Sequence, residues 1–77
     1  MVTAAQMRAA RALIGLSQAE LARRAGVSVP TIKRCESESE RAAAVSSDTQ
    51  DRVRAVLEAE GVEFTNGKHP GVKLIRP

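Results

Sequence analysis

Helix starts and stops punctuate this chain so regularly that they dictate its architecture. At three of these starts a Ser or Thr is followed three residues later by Gln or Glu: Thr3 with Gln6, Ser17 with Glu20, and Ser47 with Gln50. That spacing closes a helix start reciprocally, because the hydroxyl and the longer side chain each accept a backbone N–H of the other's residue. Glycines stand where these helices must end, at Gly15, Gly26 and Gly61. Ser28 is a fourth start signal, and Pro30 suits a first helical turn, where a missing N–H costs nothing. The chain is thus cut into short helices with tight connections.

Apolar residues give each helix an inner face. Met7, Ala10, Leu13 and Ile14 form the stripe of the first, with Arg8 and Arg11 off it. Leu21, Ala22 and Ala25 form that of the second, with Arg23 and Arg24 outward. Val27 points inward from the turn, and Ile32 and Cys35 face the core from the third helix. Pro30, Lys33, Arg34 and Ser37 then line that helix's opposite face. The middle of residues 36–46 has no lasting periodicity and reads as a loop. Val53, Val56 and Leu57 mark a last helix over 47–60, where Arg54 and Glu58 form an i, i+4 pair.

The tail changes period. Val62 and Phe64 alternate with Glu63 and Thr65, and Val72 and Leu74 flank Lys73. Asn66-Gly67 and Pro70-Gly71 between them are turn signals, so a β-hairpin or a pair of edge strands is expected. Two strands are marginal in water, so the tail must pack on a helix, fold onto its own core, or pair with another chain. Pairing across a two-fold axis through Val62, Phe64, Val72 and Leu74 is the favoured expectation. The face of the 47–60 helix is the alternative. The expected division is residues 1–61 as the helical domain and 62–77 as a β tail.

With 77 residues this is one small core, and Phe64 is its only aromatic residue, so Ala, Leu, Val, Ile and Met must fill it. Dimerisation or ligand binding would supplement so small a core. No apolar run approaches a membrane span, and no secretory signal is expected. One cysteine, Cys35, and one histidine, His69, supply neither a disulfide nor a zinc cluster. A reducing, cytoplasmic setting, no cofactor and no catalysis are expected, since no nucleophile–base pair or ligand cluster is legible.

The net charge of +3 is unevenly spread. Residues 1–34 hold six basic side chains and one acidic. Residues 35–60 hold three basic and seven acidic, and residues 61–77 hold three basic and one acidic. The basic first half suggests a surface for a polyanion. The acidic 35–60 segment motivates a second reading, a module that holds a basic protein partner.

Residues 16–36, LSQAELARRAGVSVPTIKRCE, carry the most specific signal: two short capped helices joined by a glycine turn. Ala22 allows close approach, Gly26 permits the turn, and Val27 with Ile32 locks the pair. The stretch resembles the Cro and phage-repressor-like (XRE) helix-turn-helix family at Ser17, Gln18, Leu21, Ala22, Ala25, Gly26, Val27, Ser28, Ile32 and Glu36. The preceding ARALIGL is similar to that family's first helix. GVEF followed by PGVKL resembles a hairpin appended in some small bacterial members.

The resemblance implies an all-α, lambda-repressor-like bundle of about four helices with a short C-terminal hairpin. It implies a transcriptional regulator, in the mould of a repressor, that binds double-stranded DNA as a homodimer on a palindromic operator. The 28–37 helix would enter the major groove. Ser28, Val29, Pro30 and Arg34 would then face bases. Arg34 could bridge guanine O6 and N7, Val29 could touch a thymine methyl or pack against the second helix, and Pro30 offers only shape and apolar contact. Gln18, Thr31, Lys33 and Arg41 would reach phosphates. Under the alternative, small members act as antitoxins or anti-activators. Two departures stand out: Cys35 occupies a site where the family usually has a larger aliphatic residue, and the loop from Ser37 to Glu40 is acidic.

Overall fold

Each helix begins on a hydroxyl. In the computed structural model, which describes residues 2–37, 45–65 and 68–75, Thr3 caps α1 (Ala4–Ile14) and Ser17 caps α2 (Gln18–Ala25). Ser28 caps α3 (Val29–Cys35), and Ser46 caps α4 (Ser47–Ala59). Each accepts the backbone N–H three residues on. The α4 cap is one residue earlier than the Ser47–Gln50 spacing suggested. Ser46 Oγ accepts from Thr49 N and donates to Thr49 Oγ1, and Gln50 Nε2 turns back to the Val45 carbonyl at 3.4 Å. Two adjacent serines offer two caps, and the one with a hydroxyl three residues ahead has the extra bond.

The hairpin forms as the alternation suggests. Strands β1 (Val62–Thr65) and β2 (Gly71–Leu74) pair antiparallel, with Val62 opposite Leu74, Glu63 opposite Lys73, and Phe64 opposite Val72. The Ile75 N–H donates to the Gly61 carbonyl at 2.7 Å and extends the ladder.

One core joins all six elements. Met7, Ala10, Leu21, Ala22, Ala25, Ile32, Cys35, Val45, Val53, Leu57, Val62 and Phe64 are buried in a single cluster. α2 packs on α3 and α4, α1 packs on β2, and α4 packs on β1. The expectation of a tail pairing across a two-fold axis is corrected at two residues. Val62 and Phe64 are 2% and 8% exposed within their own chain, and Val72 packs against the same cluster. With so few large side chains available, the helices alone cannot close their core, and these two complete it. Leu74, at 40%, stays largely outside, beside Ile75 at 56%. Arg54 of α4 lies over the Phe64 ring at 5.5 Å from its centroid.

The tie between α1 and the hairpin is a polar one. Gln6 is buried. Its Oε1 accepts from the Thr3 N–H at 2.8 Å, and its Nε2 donates to the carbonyls of Thr65 at 2.7 Å and Gly71 at 3.0 Å. One side chain therefore caps a helix and clamps both strands at the pair where the hairpin opens. Leu13 leaves the expected stripe and is 45% exposed. It lies seven residues, about two turns, beyond Gln6 in the same column of the helix. The column that meets the hairpin at Gln6 is uncovered at Leu13.

Candidate nucleic-acid interface

The α2–α3 unit has the expected geometry for specific reasons. Gly26 ends α2 at φ +69°, in the left-handed region that side chains avoid, and the Val27 N–H donates to the Ala22 carbonyl at 3.0 Å. A Cβ at Gly26 would also come within 3.2 Å of the Arg52 guanidinium reaching over from α4. Leu21, Ala22, Ala25 and Ile32 are buried between the helices, and Val27 and Val29 are partly buried against them. The turn is held by apolar contact on its inside, and α3 projects its other face outward.

That outer face carries Ser28, Pro30, Lys33 and Arg34, all exposed. Two of the residues with polar side chains at the start of α3 are already engaged. Ser28 Oγ accepts from the Thr31 N–H at 3.3 Å and lies 2.8 Å from Thr31 Oγ1. Lys33 and Arg34 are different: among the described residues neither makes an ion pair or a side-chain hydrogen bond. Val29 is partly buried and packs against the core cluster. Arg41 lies outside the described residues, as do Glu38 to Glu40 of the acidic loop.

Behind α3 sits a buried ionic bolt. Glu36, which ends α3, is 6% exposed. Its carboxylate accepts from Arg11 Nε at 2.8 Å, Arg11 Nη2 at 3.1 Å, and Gln18 Nε2 at 3.1 Å. Its backbone carbonyl accepts from Arg8. Arg11 also donates to the Leu16 carbonyl at 3.1 Å, in the link between α1 and α2. One carboxylate thus fixes α1, the start of α2 and the end of α3 to one another. The near-parallel pair of bonds from Arg11 is the geometry that makes a guanidinium–carboxylate contact directional. Gln18 is therefore not a free surface amide: one N–H faces Glu36, leaving the other N–H and its Oε1.

This bolt was the residue set that sequence reasoning missed. Arg11 read as an off-stripe surface charge. It lies four residues after buried Met7, hence on the same side of α1, and a cation there requires a buried partner. Glu36, following the core residue Cys35, was the available acid. The neighbouring thiol feels the same environment: burial first, and the nearby Glu36 charge second, raise the Cys35 pKa above its ordinary value near 9.0.

Charge pairing reshapes the surface. Arg23 pairs with Glu20 at 2.8 Å, Arg24 with Glu20 at 3.7 Å and with Glu60, and Arg54 with Glu58 at 3.3 Å. Glu36, Glu58 and Glu60 of the acidic 35–60 segment thus face arginines of their own chain, and Asp48 and Asp51 remain exposed on α4. Among the described residues no group of three or more His, Cys, Asp or Glu could hold a metal ion. No described helix is long and apolar enough to cross a membrane.

The family model described as Helix-turn-helix matches residues 7–46, a little over half of the chain. The match spans α1 to α3 and the segment up to α4. No curated protein matches the chain.

Proposed function

The chain belongs to the Cro/repressor-like (XRE) helix-turn-helix family, a family of DNA-binding regulators, and from that premise we propose that it binds double-stranded DNA sequence-specifically with α3 in the major groove. The observation that carries this reading is the state of the cations. Among the described residues of the first half, Arg11, Arg23 and Arg24 pair with acids of the same chain, whereas Lys33 and Arg34 make no ion pair and stand exposed together on the outer face of α3; Arg52 on α4 and Lys68 and Lys73 in the tail are exposed without an ion pair as well, outside that helix. Such cations attract phosphate, and a guanidinium on a helix in the groove reaches base edges.

The roles follow. Arg34 reads a base, Pro30 gives apolar contact beside it, and Val29 and Ser28 contribute shape at the helix start. Lys33, Thr31 and Arg41 serve the backbone. Gln18, at the first turn of α2, offers its remaining amide N–H to a phosphate, aided by the helix dipole. The protein acts as a homodimer on a palindromic operator with half-sites roughly 34 Å apart, so that two small interfaces act together. The second copy meets the side of the tail left open, at Leu74 and Ile75. We propose residues 1–61 as the reading unit and 62–77 as the segment that closes its core and presents that edge. The reading as an acidic module for a basic protein would draw on the other acids of the 35–60 segment, since Glu36, Glu58 and Glu60 already pair within the chain.

Selection from a random duplex pool at two salt concentrations tests this. A palindromic consensus retained at the higher salt supports it. Enrichment of no sequence, with binding that vanishes as salt rises, overturns it.

A further inference from the structure

Given the homodimer of the DNA reading, we propose that its two copies join by pairing β2 with β2 across a two-fold axis at Lys73, each copy seating its Leu74 in the groove between α1 and β2 of the other. The phase of the hairpin ladder shows which backbone groups are free. Along an antiparallel ladder, pairs that exchange hydrogen bonds alternate with pairs that do not. The Ile75 N–H donates to the Gly61 carbonyl, so the bonded pairs after it are Glu63 with Lys73 and Thr65 with Gly71. Val72 and Leu74 therefore turn their N–H and C=O groups outward, to the edge away from β1. No described residue bonds them there. The β1 side of the sheet is covered, since Val62 and Phe64 are buried and α4 packs on that strand. Lys73, Leu74 and Ile75 are exposed, so β2 is the open edge.

One register satisfies that edge best. Outward groups bond only to outward groups, so Val72 and Leu74 must face Val72 or Leu74 of the second copy. An axis at Val72 sets Leu74 against Pro70, which has no N–H. An axis at Leu74 sets Val72 against residue 76, beyond the end of the strand at Leu74. An axis at Lys73 sets Val72 opposite Leu74 on both sides of the axis, each pair exchanging both backbone bonds. The side chains then fit. Val72 and Leu74 share the inner face with their partners Phe64 and Val62. Opposite side chains stand roughly 5 Å apart at Cβ, so Leu74 of the second copy comes to lie beside Val72. There a groove of about 220 Å³ opens between α1 and β2, with apolar walls from Ala5, Ala9, Pro70 and Val72. On the outer face the exposed Ile75 falls over Gly71 of the second copy, which has no side chain to oppose it. Lys73 meets Lys73 of the second copy, a like-charge contact, and Glu63 beside each Lys73 in its own hairpin lowers the cost. The pairing uses the open edge of both copies, so the assembly closes at two.

Sedimentation equilibrium of the full chain without DNA reads the dimer Kd. Leu74 is largely outside its own core, so Leu74→Ala keeps the fold. It raises Kd by about tenfold to fiftyfold, the worth of the exposed part of one leucine in each copy. Lys73→Glu changes a second exposed residue, and its homodimer keeps a like-charge contact at the axis. Mixed with the isotope-labelled parent, it sets a lysine directly opposite a glutamate. The mixed dimer is then about threefold to tenfold tighter than either homodimer at low salt, and native mass spectrometry finds it above its statistical share. High salt removes the preference. Mixed dimers at the statistical share at low salt, or a Kd unmoved by Leu74→Ala, overturn the β2 pairing and leave a homodimer with another interface. A chain that is monomeric at every concentration overturns the pairing and the homodimer together. The measurement uses no DNA, so either failure is distinct from failure to select a sequence, which overturns the DNA reading.

Discussion

Substituting Glu36 with Gln probes the joint on which the presentation of α3 depends. The change keeps size and shape but removes the charge and one acceptor. Of the three N–H donors now aimed at the carboxylate, two come from Arg11 and one from Gln18. An amide cannot accept all three, and its NH2 must oppose at least one of them. Removing one partner of a buried ion pair costs roughly 3–5 kcal/mol. The Arg11 side chain is 24% exposed against 4% for Glu36, so water recovers part of that loss. About 2–3 kcal/mol is the resulting expectation. A chain of 77 residues has roughly 4–11 kcal/mol in all. At about 4–8 °C per kcal/mol for a domain this small, Tm falls by roughly 10–20 °C, read by the helical circular dichroism signal. The double variant Arg11→Met with Glu36→Leu removes both charges and fills the space. It is expected to be more stable than Glu36→Gln, because a buried pair replaced by apolar groups is often neutral or favourable. A Tm drop under about 3 °C for Glu36→Gln would refute the bolt. So would singles whose effects add to the double's within about 0.5 kcal/mol.

Three further perturbations reach other parts of the molecule. Arg34→Ala should cost about 1–3 kcal/mol on the selected operator and abolish preference at one base pair per half-site; repeating the random-pool selection with the variant checks this, and an unchanged consensus would remove Arg34 from base reading. Gln6→Ala strips the Thr65 and Gly71 carbonyls of their donor and should cost about 1–3 kcal/mol in urea unfolding; a loss below about 0.5 kcal/mol would mean the clamp does not hold the hairpin. Cys35, buried with a raised pKa, should react with a thiol reagent at the rate of global opening, so mild denaturant accelerates the reaction and native buffer nearly stops it. The same shift has a pH signature. A thiol whose folded pKa lies above its unfolded one contributes fully below the unfolded value near 9.0 and loses that contribution as pH rises through the folded value. The stability of the parent relative to Cys35→Ala should therefore fall above about pH 9, and a difference that stays flat to pH 11 would contradict the burial argument.

Local rules made most of the backbone legible. Hydroxyl caps, glycine stops and the period-2 tail are short-range signals, and α1, α2, α3 and the existence of the two strands follow from them, while the register of Val62 with Leu74 and Phe64 with Val72 does not. Those signals lose resolution where neighbours compete. Ser46 and Ser47 are both competent caps, and the choice turned on the Thr49 hydroxyl. They also lose it where a residue has two duties. Gln6 reads as half of a capping box, and nothing within a few residues of it shows that its amide also reaches a strand pair about sixty residues away. The outer face of α3 was legible as a set of residues. What was not legible was which of its polar atoms remain available, because that depends on the Ser28–Thr31 bond and on Glu36 holding Gln18.

The same pairing changes how the charge pattern bears on function. Along the sequence, a basic half precedes an acidic one, which invites two surfaces with two partners. In the fold the two halves are each other's counter-ions: Arg11 meets Glu36 and Arg24 meets Glu60, across 25 and 36 residues. Most of such a pairing's free energy offsets desolvation and side-chain ordering, so its principal effect is geometric. Among the described cations of the first 34 residues it leaves Lys33 and Arg34, neighbours on α3, exposed without an ion pair. A diffuse surface binds any polyanion with a steep salt dependence, whereas two cations on one rigid helix contribute little to that slope and much to discrimination. The salt slope of specific binding should accordingly be shallow for a chain whose first 34 residues carry six basic side chains.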